Sequence, residues 1–350
     1  MAEDAHVARR IERGAAHAHP QSQSQSQSQS HPDPDPDPDP DPDPHPDGQP
    51  AVVRYGPHPA QFFEVHRPAG DGPHPVVLLI HGGFWRLPWG RELMRPLALD
   101  LVERGYAAVN VEYRRLGEDG GGWPGTCEDV AAALRALAGL GEADAADRAD
   151  GSAGGGSGGD GDVGSGLAAA LDLGRIGLVG HSAGGHLALW AAHHADVSVR
   201  IIVSQAGVVD LRAAVRDRLD EENGKPPAAL EFLGDTRIEA SADESTNTST
   251  STPTDTSSDA VPDPSVYPLA SPIEMAPLGP GVRQFVLHGD VDTRVPQAQS
   301  LDYAQVAGRA GDDVRLVAFT GMGHFELIDP AHESWHMTSA ELDRYLRHAG

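Results

Sequence analysis

Apolar residues fall in short unbroken blocks along the chain, separated by longer stretches with helical spacing. The blocks are VVLLI (76–80), AAVNV (107–111), IGLVG (176–180), IIVSQ (201–205), FVLHG (285–289) and VRLVAF (314–319). Each is too short for a helix and too uniformly apolar for a strand with one wet face, so the pattern predicts strands buried on both sides. Residues 93–103, 127–140, 186–194 and about 336–348 carry the helical patterns between and after them. Buried strands alternating with helices predict an α/β fold, a mostly parallel central sheet covered by helices on both faces. An open sheet of this kind binds ligands at the carboxyl ends of its strands. Residues that closely follow each apolar block are therefore the first candidates for chemistry.

Three tracts break the pattern. Residues 1–50 contain QSQSQSQSQS and HPDPDPDPDPDPDPHPD, residues 141–173 centre on GSAGGGSGGDGDVGSG, and residues 236–263 centre on STNTSTSTPTDTSSD. None holds enough apolar surface to offset the entropy of ordering it. They predict a disordered acidic arm over 1–50 and one domain over 51–350 that carries two low-complexity insertions. About 240 residues remain outside the tracts, enough for one large core.

Charge follows the tracts. The formal net charge is −26, of which residues 1–50 carry −7, 141–173 carry −6 and 236–263 carry −5, which leaves −8 for the remainder. The acidity therefore describes solvated segments rather than a binding surface. No basic stripe is available to neutralise phosphates, so nucleic acid is not an expected partner. Cys127 is the single cysteine, which rules out an intrachain disulfide. The N-terminal MAEDAHVARRIERGAAHAHP lacks an apolar leader core, and no run approaches the ~18 apolar residues of a membrane span. The expectation is a cytoplasmic protein with no membrane partner.

Chemistry concentrates where the predicted strands end. Gly180-His181-Ser182-Ala183-Gly184 fits G-x-S-x-G directly after one strand and before a helix, the context of a nucleophile elbow. A serine hydroxyl needs a base, normally a histidine oriented by a carboxylate. Of the 18 histidines, His324 follows the last strand through the short loop TGMG and is the candidate base. HGDVDTRVP, at the end of the preceding strand, offers Asp290 and Asp292 as the acid, and composition does not choose between them. A tetrahedral intermediate also needs backbone N–H donors. Ala183 supplies one, and Gly82 and Gly83 of HGG, after VVLLI, are candidates for the other. The chain order Ser, Asp, His is the order of α/β-hydrolases.

HGGFW (81–85), GHSAGGH (180–186), HGDVDTRVP (288–296) and GHFELIDP (323–330) together resemble the kynurenine formamidase-like and carboxylesterase-like branch of the α/β-hydrolase superfamily. EYRRLG (112–117), WPGTCEDV (123–130) and YPLASP (267–272) fit the same pattern. HGGxW is the formamidase-type form of the oxyanion motif; the hormone-sensitive-lipase-like esterases carry HGGG. In relatives the HG-x-x-D-x-x-VP pattern places the acid at its aspartate, here Asp292. The two low-complexity insertions depart from the family, whose members have short connections there.

The resemblance implies an α/β-hydrolase fold and a Ser182–His324–Asp292 hydrolase that works through an acyl-enzyme with no cofactor and no metal. The implied partner is a small-molecule amide or ester, with an N-formyl aromatic amide such as N-formylkynurenine first and a small carboxylic ester next. Phe84, Trp85, Trp89, Trp123 and Tyr113 lie on or near strand-exit loops, and they point either to an apolar or aromatic substrate group or to loop packing. An S9-like peptidase and a non-catalytic ligand-binding protein of the same fold stay open as alternatives, and a homodimer stays open as the assembly.

Overall fold

The computed structural model describes residues 49–70, 72–149, 166–221, 225–234 and 262–347. Most of the acidic arm, residues 150–165 of the first expected insertion and nearly all of the second lie outside the described residues. Eight strands form one sheet in the order β1-β2-β4-β3-β5-β6-β7-β8. They are β1 (Ala51–Arg54), β2 (Phe62–His66), β3 (His74–Ile80), β4 (Ala107–Glu112), β5 (Leu171–His181), β6 (Ile201–Gln205), β7 (Arg283–Gly289) and β8 (Asp313–Phe319). All pairings from β4 through β8 are parallel, whereas β1 pairs with β2, and β2 with β4, antiparallel.

The apolar blocks read as strands because each feeds two cores. Along β3, Val76, Leu78 and Ile80 enter one core while Val77 and Leu79 enter the other. Alternate side chains leave opposite faces of a pleated strand, so a strand buried on both faces is apolar over most of its length. The first core also holds residues of α2 (Gly125–Ala149) and α3 (Ala183–His194), and the second those of α1 (Arg95–Glu103) and α9 (Glu333–Leu346). Shorter helices α4 (Leu211–Arg216), α5 (Ala228–Leu233), α6 (Tyr267–Ala270) and α7 (Pro272–Met275) and the longer α8 (Ala298–Ala310) lie between β6 and β8.

The structure differs from the sequence expectation in three places. The β1–β2 hairpin has no counterpart among the predicted strands, because it is short and polar positions interrupt its buried ones, as in FFEVH, where Glu64 separates the buried Phe63 and Val65. The expected insertion over 141–173 is too wide. Helix α2 continues to Ala149, and Leu171–Leu173 already belong to β5. Alanine is the best intrinsic helix former and lengthens α2 through EADAADRA. The amphipathic α8 was hidden by its mixed composition. Among the described residues no helix is long and apolar enough to cross a membrane.

Candidate active site

Ser182 is the junction between β5 and α3. Its backbone sits at φ 56°, ψ −120°, a region that side chains rarely adopt. Holding a non-glycine residue there costs about 1–3 kcal/mol and persists only where the surroundings impose it. The surroundings here are backbone. A Cβ on Gly180 would collide with the carbonyl of Gly184, and one on Gly184 would collide with the carbonyl of Ile80 at the end of β3. The Ser182 amide donates to Gln205 O at 2.8 Å, so the turn is also pinned to β6.

The HGG loop meets the elbow. A Cβ on Gly82 would lie 2.8 Å from Ser182 Cβ, so the loop backbone passes directly beside the serine side chain. Gly83, Phe84 and Trp85 follow at φ 105°, 50° and 59°, three successive residues with positive φ. Trp89 packs on Gly83 so closely that no side chain fits there. Among the described residues, the amides of Gly83 and Ala183 donate to no protein acceptor. Ala183 opens α3, where the helix dipole favours negative charge.

A buried network sets the loop. His81 Nε2–H faces Glu112 Oε1 at 3.0 Å, and its carbonyl accepts the Tyr113 hydroxyl at 2.8 Å. The His81 and Tyr113 rings stack at 4.2 Å. Burial raises the pKa of Glu112, but His81, Arg115 and the Tyr113 amide outweigh it and hold the carboxyl at about 2. Next in the chain, Arg114 Nη2 donates to the buried Asp129 at 2.6 Å, which explains why EYRR and CEDV occur together. Beyond the HGGFW segment, Arg86 donates to Asp220 at 2.5 Å and to Glu231 of α5 at 2.7 Å, fastening the loop to the segment above it.

At the exits of β7 and β8, His324 Nδ1–H donates to Asp292 Oδ2 at 2.6 Å, with both side chains buried. Asp292 Oδ1 accepts the amides of Arg294 and Val295 at 2.8 and 2.9 Å. Burial pushes the carboxyl of Asp292 up, but bonds from His288 and His324 and the Val295 amide overcome this and hold it well below the usual carboxylate range. Asp290 turns elsewhere and accepts the Gly321 amide at 2.7 Å. A histidine that donates Nδ1–H to a carboxylate presents Nε2 as a proton acceptor.

The two halves are joined through His181, whose Nε2–H donates to the carbonyl of His324 at 3.0 Å. Burial, chiefly, lowers its pKa to about 3, which keeps it neutral. Gln205 Nε2 donates to Leu327 O at 2.8 Å and ties β6 to the same loop. Sequence reasoning missed two supporting residues. His288 places Nε2–H between Val295 O at 2.9 Å and Asp292 Oδ2 at 3.3 Å, and Glu112 carries the His81 contact. The spacing of His288 and Asp292 within HGDVD was the available signal, but a histidine before a glycine reads first as a turn. Of the aromatic candidates, Trp85 and Tyr113 are fully buried and serve as packing. Trp85 stacks on Phe232 at 4.3 Å, and Trp123 meets Trp190 edge-on.

A doubly wound sheet, a strained serine between β5 and α3, and a histidine–aspartate pair at the last two strand exits define the class of an α/β-hydrolase. Comparison with known proteins agrees: the family described as having the alpha/beta hydrolase fold matches residues 77–327, and the chain belongs to it. Among solved structures, it is similar to a bacterial heroin esterase at 24% identity and TM-score 0.56, over 82% of this chain and 80% of that one. A truncated carbohydrate esterase from gut microbiota matches at 18% identity and TM-score 0.59, over 86% of this chain and 98% of that one. An esterase from the Planctomycetes species Thermogutta terrifontis matches at 18% identity and TM-score 0.57, over 86% and 93%. A search of curated proteins by sequence finds no match.

Proposed function

We propose that this protein is a serine hydrolase that cleaves small carboxylic esters through an acyl-enzyme on Ser182. The observation that carries the reading is the His324–Asp292 pair at 2.6 Å, held by His181 beside a serine in a backbone conformation that local packing imposes. Ser182 Oγ attacks the carbonyl carbon and passes its proton to His324 Nε2. Asp292 stays ionised and stabilises the imidazolium. The N–H groups of Gly83 and Ala183 hold the oxygen that gains charge, with Gly82 allowing the close approach; one such donor is worth about 3–4 kcal/mol. His324 then gives the proton to the leaving atom, and water repeats the sequence to free the acid. No step calls on a cofactor or a metal. The solved relatives named above are described as esterases, which supports the ester over other carbonyl substrates.

A second reading rests on HGGFW, the formamidase-type form of the loop: an N-formyl aryl amide, cleaved at its C–N bond by the same residues. Fluorophosphonate labelling of wild type and Ser182→Ala, followed by rates on p-nitrophenyl acetate and N-formylkynurenine, separates the readings. Wild type should label and the variant should not. A folded wild type that fails to label overturns the hydrolase assignment, whereas formamide turnover well above ester turnover overturns only the substrate order.

A further inference from the structure

Two large apolar side chains stand in solvent beside the histidine–aspartate pair. Phe325, 48% exposed, follows His324 directly, and Val291, 54% exposed, precedes Asp292. The Phe325 ring lies 5.3 Å from the His324 ring at 83° and 6.1 Å from that of His181. The Val291 amide donates to Met322 O at 3.2 Å, which laces the loops after β7 and β8 into one rim. Two residues further on, Leu327 is fully buried. The turn over Phe325–Ile328 therefore anchors itself through Leu327, and packing gives no account of the exposed ring.

We infer that Phe325 forms the leaving-group side of the site and selects esters of neutral, flat, apolar alcohols such as phenols. This rests on the reading of His324 as the base. The chemistry then fixes the geometry. The proton that His324 takes from Ser182 must go to the leaving oxygen as the carbonyl carbon–oxygen bond breaks. The leaving group therefore departs past His324, while the carbonyl oxygen points to Gly83 and Ala183. What the leaving group meets is the ring of Phe325. An aryl group gains from stacking on an aromatic ring beyond the apolar area it buries. Asp290 and Glu326 are exposed on the same rim, so an anionic leaving group is repelled there.

The test compares phenyl acetate with methyl acetate, which give the same acyl-enzyme, in wild type and Phe325→Ala. Phe325 is exposed, so the variant folds, and intrinsic leaving-group reactivity cancels in the comparison. The phenyl-to-methyl ratio of kcat/KM should fall about 3–10-fold in the variant. An unchanged ratio overturns the inference. So does a variant that instead shifts the phenyl butyrate to phenyl acetate ratio, because that places the ring on the acyl side. In the wild type, 4-acetoxybenzoate should react more slowly than phenyl acetate relative to their uncatalysed rates, and Asp290→Asn with Glu326→Gln should narrow that gap at low salt. A gap that does not narrow overturns the charge selection. Loss of the hydrolase reading has a separate signature, failure of fluorophosphonate to label Ser182.

Discussion

The site has two halves built by different means. At the exits of β3 and β5, backbone packs on backbone: Gly180 on Gly184, Gly184 on Ile80, Gly82 beside Ser182. At the exits of β7 and β8, side chains make the hold: Asp292 to His324 and His181 to the carbonyl of His324 across long separations, and His288 to Asp292 within one loop. The first half tolerates no added atom, and the second tolerates no lost hydrogen bond. The difference teaches that the same site can be damaged through its fold on one side and through its chemistry on the other.

Substitutions that separate the halves should therefore fail in different ways. Asp292→Asn has the largest expected effect on rate. Asp292 Oδ1 takes two backbone amides, so an asparagine keeps its oxygen there and turns its NH2 toward His324 Nδ1. That reverses the tautomer, and kcat on p-nitrophenyl acetate should fall about 10⁴-fold in a folded protein. Asp290→Asn, by contrast, should change kcat by less than about 3-fold, because its contact is a surface backbone bond. Equal losses would erase the distinction between the two aspartates.

Gly180→Ala probes the other half. Its Cβ meets a carbonyl rather than a flexible side chain, so a loss of more than about 4 kcal/mol of stability is expected, visible in a denaturant midpoint. A variant of unchanged midpoint would show that the elbow can relax.

Glu112 supports the HGG loop through His81, and its effect should follow pH. Its carboxyl is held at about 2 against an ordinary 4.5, so its contribution is complete above pH 4.5 and lost as pH falls toward 2. Roughly 3 kcal/mol rides on that shift. Glu112→Gln should lose much of this at pH 7 and show a flatter stability profile between pH 4.5 and 2, read from denaturant midpoints across that range.

At neutral pH the smallest expected effect concerns the histidines on α3 and the elbow, which act on stability only in acid. Burial lowers His186 to about 4 and His181 to about 3 from an ordinary 6.5. The unfolded chain binds protons there first, so stability falls as pH drops from 6.5, by at most about 2.7 kcal/mol per pH unit when both titrate. His181→Gln, which can still reach the His324 carbonyl, should reduce that slope by about half and keep more activity than His181→Leu. Identical activities for the two variants would remove the bond from the account of how His324 is positioned.

Much of this was legible in the chain. The six apolar blocks are all strands of the sheet, and each of the four motifs lies at a strand exit. The strands were readable because burial on both faces leaves most of their positions apolar, with a few buried polar exceptions such as Asn110, Ser204 and Gln205. The β1–β2 hairpin escaped because partial burial permits Glu64 and weakens the signal. Trp85 and Tyr113 escaped differently: their residue type announces a large apolar surface but not whether protein or ligand covers it, and here protein does.

What the sequence determined by itself is what depends on neighbours in the chain. Strand burial, the small residues around Ser182 and the order of the motifs all follow from local sterics and local hydrophobicity. What only the tertiary structure decided is which distant groups share a hydrogen bond. It turned Asp292 rather than Asp290 toward His324, and set Glu112 under His81. Residues two apart on one loop have nearly the same local surroundings. Only the fold, by fixing which loop lies opposite, distinguishes the carboxylate that meets an imidazole from the one that meets a backbone amide.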